Sequence, residues 1–593
     1  MTNYSSFDNE YKYSLMKKSH LTSLLACLLI FSAMPSYAET ELTIEGLDGE
    51  LEDNVSSYLS AIKESEYSTS LRFQSRVKQN IVDALKALGY YNPIIQFQIE
   101  GDTNDPDADN EIIVTVDAGI PTIIYESDIV IEGDAATDVD FMRLVDRSKL
   151  NLGQVVNHGN YEGLKSALRN LALQKGYFDG QFIDTRLQVS PSRNQAFVHL
   201  HYQSGQRYVF GQTTITGSQI EQKRVQSLVP YENGQPYQSV LVGELNQNLS
   251  SSEWFTNIFV EPDIESVDED KSLPMKVRVS PQTRNQIETG LGYSTDVGPR
   301  GKLSWKKPWL NKYGHSVGAS VMLSHPEKTF TANYKIPLED VLHDYYLVQY
   351  GFKDEDDNDT DSQEQNLSFE RHWLYDNGWH RTIYLRLLYE DYVQASESGH
   401  SLYVLPGISF SRVRTRGNTM PMWGDKQSIS FEYGDPSLLS DTRIVRVVGH
   451  TGWVRGIGRN HRFLTRLDAG GAFADDWSEV PPSLRFFVGG VNSLRGYGYE
   501  EVSPRDSNDE LEGGAYMATS SLEYQYRVTG NWWGAAFLDV GDAWTDTPEW
   551  KRGVGLGVRW ASPVGPVRLD FAYGLDADDG DEFRIHFTLG PEL

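Results

Sequence analysis

Cysteine is all but missing. The one thiol among 593 residues, Cys27, lies in an N-terminal apolar run. A chain that loses this run has no disulfide, no cysteine zinc site and no cysteine nucleophile. Positive charge is scarce as well: 53 Lys and Arg stand against 83 Asp and Glu, a net charge of −30. Such a surface repels phosphate, which argues against nucleic acid as a partner. The 13 histidines are scattered without a paired metal-binding motif, and serines such as Ser493 lack a nucleophile elbow or a nearby base. The sequence therefore points to no enzyme, no metal and no cofactor. Apolar runs long enough for a helical span are also lacking beyond Phe31, so any later membrane contact must use strands.

The start reads as an export signal: Lys17 and Lys18, the apolar stretch Leu21 to Phe31, Pro35, then Ser36-Tyr37-Ala38 as a small-x-small cleavage site. Residues 1–38 are expected to be removed, leaving Glu39 first, with Met16 as an alternative start to Met1. The stretch is too short to span about 30 Å of hydrocarbon. A lipoprotein reading of Leu24-Leu25-Ala26-Cys27 conflicts with the apolar residues that follow the cysteine.

Three copies of one pattern come next. Each opens with a short strand-like run ending in glycine: Ile44-Glu45-Gly46, Ile131-Glu132-Gly133 and Ile215-Thr216-Gly217. Spacings above eighty residues mean small domains, not solenoid turns. Helical spacing follows in the first copy at Leu51, Val55, Tyr58 and Ile62, then at Val77, Ile81, Leu85 and Leu88. Leu164, Leu168 and Leu171 repeat it in the second copy, and Leu241, Leu245 and Leu249 in the third. An aromatic corner closes each helical part: Gly89-Tyr90-Tyr91, Gly176-Tyr177-Phe178 and Glu253-Trp254-Phe255, read as core packing. Alternating strands come last, such as Ile94 to Ile99 opposite Ile112 to Val116. The order β-α-α-β-β with this corner resembles the POTRA domain, which implies periplasmic modules that bind unfolded or partner chains by adding a strand to a sheet edge. The expected boundaries are 39–118, 119–205 and 206–280, with 281–593 beyond.

From about residue 285 helical periodicity gives way to strand alternation broken by Gly, Pro, Asp and Asn. Ile383, Leu385, Leu387 and Tyr389 share one parity, Thr382, Arg386 and Glu390 the other. Ile429, Phe431 and Tyr433 alternate with Ser428, Ser430 and Glu432; Val567, Leu569, Phe571 and Tyr573 oppose Arg568 and Asp570. Apolar-out, charged-in alternation is the dyad of a transmembrane barrel, in which no edge stays unpaired in lipid. About 310 residues at roughly twenty per strand and connection give about sixteen antiparallel strands. With the modules in the periplasm the first strand runs outward, which puts the acidic stretch Asp354 to Glu364 in the third outer loop. That stretch lacks the glycine and late glutamate of a calcium loop.

A long connection, roughly Asp475 to Glu512, is expected between strands eleven and twelve. It carries Phe487-Val488-Gly489-Gly490-Val491-Asn492-Ser493-Leu494-Arg495-Gly496-Tyr497, an apolar, glycine-rich core around one arginine, which suggests a loop folded into the lumen. By parity Glu523 in Ser521-Leu522-Glu523-Tyr524 and Asp539 in Phe537-Leu538-Asp539-Val540-Gly541 both face inward. A guanidinium fork suits carboxylates, so Arg495 would be held by Glu523 and Asp539 and pin the loop. Leu494-Arg495-Gly496-Tyr497, with the Glu523 and Asp539-Gly541 motifs, resembles the signature of the outer-membrane assembly superfamily that includes BamA, TamA and two-partner secretion transporters. Three modules, the Arg414-Thr415-Arg416-Gly417 turn and the ending Gly590-Pro591-Glu592-Leu593 are most similar to its TamA branch. That resemblance implies insertion of outer-membrane clients, autotransporters among them, at the outer membrane of a Gram-negative bacterium. It also implies a TamB-like inner-membrane-anchored partner and contact with outer-membrane lipids. A lateral seam is expected between Ile287 to Tyr293, weakened by Gly290 and Gly292, and Phe583, Ile585, Phe587 and Leu589. A two-partner-type secretion transporter and a passive pore are the alternatives.

Overall fold

The computed structural model describes residues 40–101, 110–417, 420–563, 565–578 and 580–589. The expected export signal and the Gly-Pro-Glu-Leu ending lie outside the described residues. Two compact units are present, one running through Tyr208 and the other starting at Val209.

In the first unit, one module comprises β1 (Thr40–Glu45), α1 (Gly49–Leu59), α2 (Leu71–Ala87), β2 (Ile94–Glu100) and β3 (Asn110–Asp117). A second comprises β4 (Ile123–Glu132), α3 (Val139–Asp146), α4 (His158–Lys175), β5 (Gln181–Ser190) and β6 (Gln195–Gln203). In each sheet the last strand is central, parallel to the first and antiparallel to the second. The inward parity of β3, Ile112, Val114 and Val116, packs on Val77, Ile81 and Leu85 of α2, all essentially solvent-free. Ser70 caps α2, its hydroxyl accepting from the Phe73 N–H at 3.3 Å. Tyr58 does not join this core: it is exposed, and Leu59 fills the position because α1 ends there and the chain bends to bury Ile62. The first aromatic corner is a joint rather than core. The Thr122 N–H donates to the Gly89 carbonyl at 2.9 Å, and the Tyr91 hydroxyl meets His158 Nε2 at 2.5 Å. Burial raises the Tyr91 pKa and pulls the His158 imidazole below its ordinary value.

The second unit opens with β7 (Val209–Thr216), α5 (Gln222–Gln226), α6 (Ser239–Ser251), β8 (Phe255–Pro262) and β9 (Ser272–Pro281), with the same sheet order. Sixteen strands then form a closed meander. They are β10 (Gln286–Ser294), β11 (Gly298–Lys307), β12 (Ser316–Leu323), β13 (Glu327–Pro337), β14 (Asp344–Asp357) and β15 (Thr360–Leu374). Next come β16 (His380–Gln394), β17 (Glu397–Arg416), β18 (Trp423–Gly434), β19 (Ile444–Ile457) and β20 (His461–Ala474). The last five are β21 (Tyr516–Thr529), β22 (Trp532–Trp544), β23 (Lys551–Ser562), β24 (Gly565–Gly574) and β25 (Phe583–Leu589). The dyad is as expected: Ile383, Leu385, Tyr389, Ile429 and Phe431 lie bare on the outside, whereas Thr382, Glu390 and Glu432 are buried within.

The third module grips the connections that follow β11 and β13. The Glu221 N–H donates to the Lys312 carbonyl at 2.9 Å, and Arg224 donates to the Pro337 carbonyl at 2.9 Å. Trp254 of the third aromatic corner donates from its indole to the Gly314 carbonyl at 3.2 Å, where a side chain on residue 314 would collide with the indole ring. This corner, too, is a joint.

Three expectations need correction. The acidic stretch is a hairpin of paired strands, not a loop: Asp354 faces Gln363, and only Asn358 and Asp359 make the turn. Asp359 accepts from the Leu511 N–H at 2.8 Å, so its carboxylate holds the long loop. Arg414 to Arg416 belong to β17, because pairing with β18 continues to Trp423, and the turn begins at Gly417. The seam is displaced along the strands: the register pairs Ser294 with Thr588, the only ladder pair between β10 and β25 among the described residues.

Candidate functional site: a lumenal loop tied across the seam

Residues 475–515 join β20 to β21 at the end of the barrel opposite the third module, and turn inward. The segment forms its own narrow hairpin, with bridges between Phe486 and Gly514 and between Val488 and Val502. Val480, Leu484, Phe486, Val488, Leu494 and Tyr497 pack with Leu388, Tyr403 and Leu405 of the wall into one apolar cluster. A loop carrying that much apolar surface is more stable inside than in solvent. Gly489 holds a φ of +132°, and a side chain there would strike the Gly498 carbonyl, so the tip closes only with glycine.

Arg495 reaches from the loop to the wall. Its Nε donates to Asp539 Oδ2 at 2.7 Å and one terminal nitrogen to Asp539 Oδ1 at 2.9 Å; the other donates to Glu523 Oε2 at 2.6 Å. Its own backbone N–H also donates to Asp539 at 3.1 Å. The guanidinium lies 3.5 Å from the centre of the Phe537 ring, a cation–π contact between buried side chains. All three charged side chains are buried. Arg559 and Asp570 extend the group: Arg559 bonds Glu523 at 2.8 Å and Asp570 at 2.6 Å, and Asp570 stands 3.5 Å from Arg495. Ser521 donates to Asp539 at 2.6 Å. Two guanidiniums and three carboxylates thus share one network, which satisfies most of the buried charge.

Gly496 has a φ of +96°, and a Cβ there would come within 2.8 Å of the Gly574 nitrogen on β24. Gly553 of β23 likewise leaves room for the Arg495 carbonyl. The Tyr497 hydroxyl donates to the Arg552 carbonyl at 3.3 Å. Gly541 stands apart, two residues along β22 from Asp539 and against Thr519, without a contact to Arg495.

The same loop crosses the seam. The Val491 N–H donates to Asp296 Oδ2 at 3.0 Å, in the turn after β10, and the Gly496 N–H donates to His586 Nε2 at 3.2 Å on β25. His586 and Asp296 face each other at 3.8 Å. Beneath them the Thr295 N–H donates to the Phe587 carbonyl at 3.1 Å, and the Tyr293 and Phe587 rings touch at 5.9 Å. Ile287, Gly290 and Gly292 make no ladder pair with Phe583, Ile585 or Phe587; Ile287, Phe583 and Ile585 are exposed. Continuing the Ser294–Thr588 register would set Tyr293 against Leu589, the last of the described residues.

Asp570, Arg559, Phe537, Asp296 and His586 were not singled out as site residues by the motifs. The inward parity of Arg559, Asp570 and His586 on neighbouring strands was the available signal; nothing in the sequence marks Asp296.

A closed barrel with an apolar outer face, a lumenal loop pinned by a buried arginine and small α/β modules before it defines an outer-membrane barrel protein with its modules on the periplasmic side. The chain belongs to the Omp85 superfamily: the family model described as the Omp85 superfamily domain matches residues 283–592. A second, described as POTRA domain TamA domain 1, matches residues 41–118. Among similar proteins, the outer membrane protein assembly factor BamA of Nitratidesulfovibrio vulgaris is 24% identical over 385 residues, 60% of this chain and 48% of that protein. The chloroplastic outer envelope protein 80 of Arabidopsis thaliana is 33% identical over 187 residues, 28% of this chain and 23% of that one. The chain spans about half the length of the first relative and less than a quarter of the second. The crystal structure of BamA from Haemophilus ducreyi lacking POTRA domains 1–3 shares the fold, with a TM-score of 0.66 at 15% identity over 79% of this chain and 99% of that one.

Proposed function

We propose that this chain inserts client proteins into the outer membrane by opening its barrel sideways between β10 and β25, with Arg495, Gly496 and Tyr497 holding the closed state against Glu523 and Asp539. The work is mechanical rather than catalytic. The observation that carries this reading is the seam: among the described residues it holds one ladder pair, Ser294 with Thr588, where neighbouring strands such as β16 and β17 share a ladder from His380 to Gln394. An unpaired edge in lipid is unstable and templates an incoming strand. The clients are unfolded outer-membrane proteins, autotransporters among them. The TamA-type first module supports a TamB-like inner-membrane-anchored partner at the periplasmic modules.

Ser294→Cys with Thr588→Cys tests the seam, because cross-strand neighbours lie within the Cα distance of about 4.4–6.8 Å that a disulfide requires. Oxidation should stop client insertion in proteoliposomes while the barrel stays folded, and reduction should restore it. Full insertion by a quantitatively locked barrel overturns lateral opening. Steady conductance without insertion then supports the passive pore, and outward passage of one secreted partner supports the secretion transporter.

A further inference from the structure

In a chain of net charge −30, one patch of the outer wall is dominated by arginine. It lies at the ends of β17, β18 and β19 on the side of the third module, whose contacts are with turns at the same end of the barrel. The register pairs Phe410 with Ile429, Arg412 with Gln427, Arg414 with Asp425 and Arg416 with Trp423, and across the next ladder Trp423 pairs with Arg455. Phe410 and Ile429 are bare on the membrane face. Alternation therefore puts Arg412, Arg414, Arg416, Arg455 and Trp423 on that face as well, one to three pairs nearer the periplasm.

Charge on this face is costly unless it meets the headgroup layer. Three guanidiniums surround Trp423, those of Arg416, Arg455 and Arg414 at 4.7, 4.9 and 5.4 Å from its ring. Trp423 is an interfacial anchor in type and place. Asp425 is the carboxylate at their centre: Arg414 binds it through both oxygens at 2.8 and 3.0 Å, and Arg455 and Arg412 stand 3.8 and 3.9 Å away. That carboxylate has no exposed surface, whereas the side chains of Arg414 and Arg455 remain 45% and 44% exposed. Arg416 is exposed and makes no ion pair among the described residues. Four cations against one buried anion leave a surplus positive charge facing the headgroups of the periplasmic leaflet. Arg412 on Trp379 at 4.7 Å and Arg381 on Trp373 at 4.1 Å continue the same pairing along the rim.

We infer that this patch is a binding site for the phosphate of an anionic phospholipid in the periplasmic leaflet, the guanidinium forks of Arg414, Arg416 and Arg455 taking the phosphate oxygens and Trp423 flooring the site. The patch anchors the wall of β17 to β19, well away from the seam strands β10 and β25, so the inference stands independently of lateral opening.

The test is native mass spectrometry of the full chain released from nanodiscs of equal phosphatidylglycerol and phosphatidylcholine. Wild-type protein should retain phosphatidylglycerol at least about tenfold over phosphatidylcholine, a difference of about 1.4 kcal/mol. Arg414→Gln with Arg416→Gln should abolish the preference, and Arg416→Gln alone, which leaves Asp425 paired, should lower it at least threefold. Arg443→Gln, at the opposite end of the barrel, should leave it unchanged. Folded-barrel migration of the unheated sample certifies folding; if the double variant fails there, Arg416→Gln alone decides. Equal retention of the two lipids by wild type, or an undiminished preference in folded Arg416→Gln, overturns the site. Displacement of the lipid by equimolar soluble glycerol 3-phosphate assigns a free anion and overturns the lipid assignment.

Discussion

Removing the Arg495 side chain gives the most direct measure of how firmly the loop is held. In Arg495→Ala, Asp539 loses two guanidinium bonds but keeps the Ser521 hydroxyl and the residue 495 N–H. Glu523 keeps Arg559 at 2.8 Å and the Gln525 amide at 2.7 Å. Breaking one side of a buried pair costs about 3–5 kcal/mol, and these surviving partners place the loss near the lower end. About 3 kcal/mol moves the balance between inserted and displaced loop by roughly a hundredfold. Arg495→Lys should recover only part of it, because an ammonium cannot bind Asp539 and Glu523 as a fork. On gels of the outer-membrane protein heated in steps, Arg495→Ala should keep a folded barrel yet lose heat-resistant migration, and client insertion should fall with it. Pairing the change with Asp539→Ala should cost less than the sum of the two, since removing both partners leaves fewer buried groups unsatisfied. Wild-type migration and activity of Arg495→Ala, or simple additivity in the cycle, would refute the reasoning.

Deleting residues 41–118 should leave barrel assembly intact while weakening contact with a periplasmic partner. The third module shares a compact unit with the barrel and grips its turns, whereas the first belongs to the other unit; failure of the truncated chain to reach the outer membrane would assign the first module to biogenesis. The joint between the first two modules should loosen in mild acid. His158 has a folded pKa depressed by burial from 6.5, so the undocked chain binds more protons, and joint stability is complete above 6.5 and lost as pH falls below it. Hydrogen exchange at residues 89–92, corrected for its intrinsic pH dependence, should rise between pH 7.5 and 5.5 in wild type and stay flat in His158→Phe.

The repeated β-α-α-β-β order and the barrel's alternation were legible because both rest on periodicity, 3.6 in the helices and 2 in the strands, and the strand number followed from length at roughly twenty residues per strand. The same parity turned Glu523 and Asp539 inward, and the apolar loop around Arg495 announced its burial; the structure brings these three side chains together. What stayed hidden depends on stagger between distant strands. Alternation says which way Phe587 points, not that Thr588 rather than Phe583 meets β10. Asp296 is a turn carboxylate like many others until the loop tip arrives beside it. Tyr91 and Trp254 look like core aromatics because a joint between modules buries a ring as well as a core does. Arg414 and Arg416 come just before Gly417 and so look like turn residues, although the hairpin is long enough to keep them on the strand.

The tie from Val491 to Asp296 and from Gly496 to His586 separates the buckle from the ends of the belt. Among the described residues the first and last strands share one ladder pair, and a segment that belongs to neither adds two further ties across the join. Arg568 and Arg584 bind that segment further to the last two strands, at Asn492 and Glu501, so the loop has more holds on the C-terminal wall than on the N-terminal hairpin. In the lateral opening proposed above, the loop should therefore leave Asp296 and travel with β25. A load inside the lumen that drags on this segment would act on the distant edge without touching it, and the first strand would be freed as the side the loop lets go.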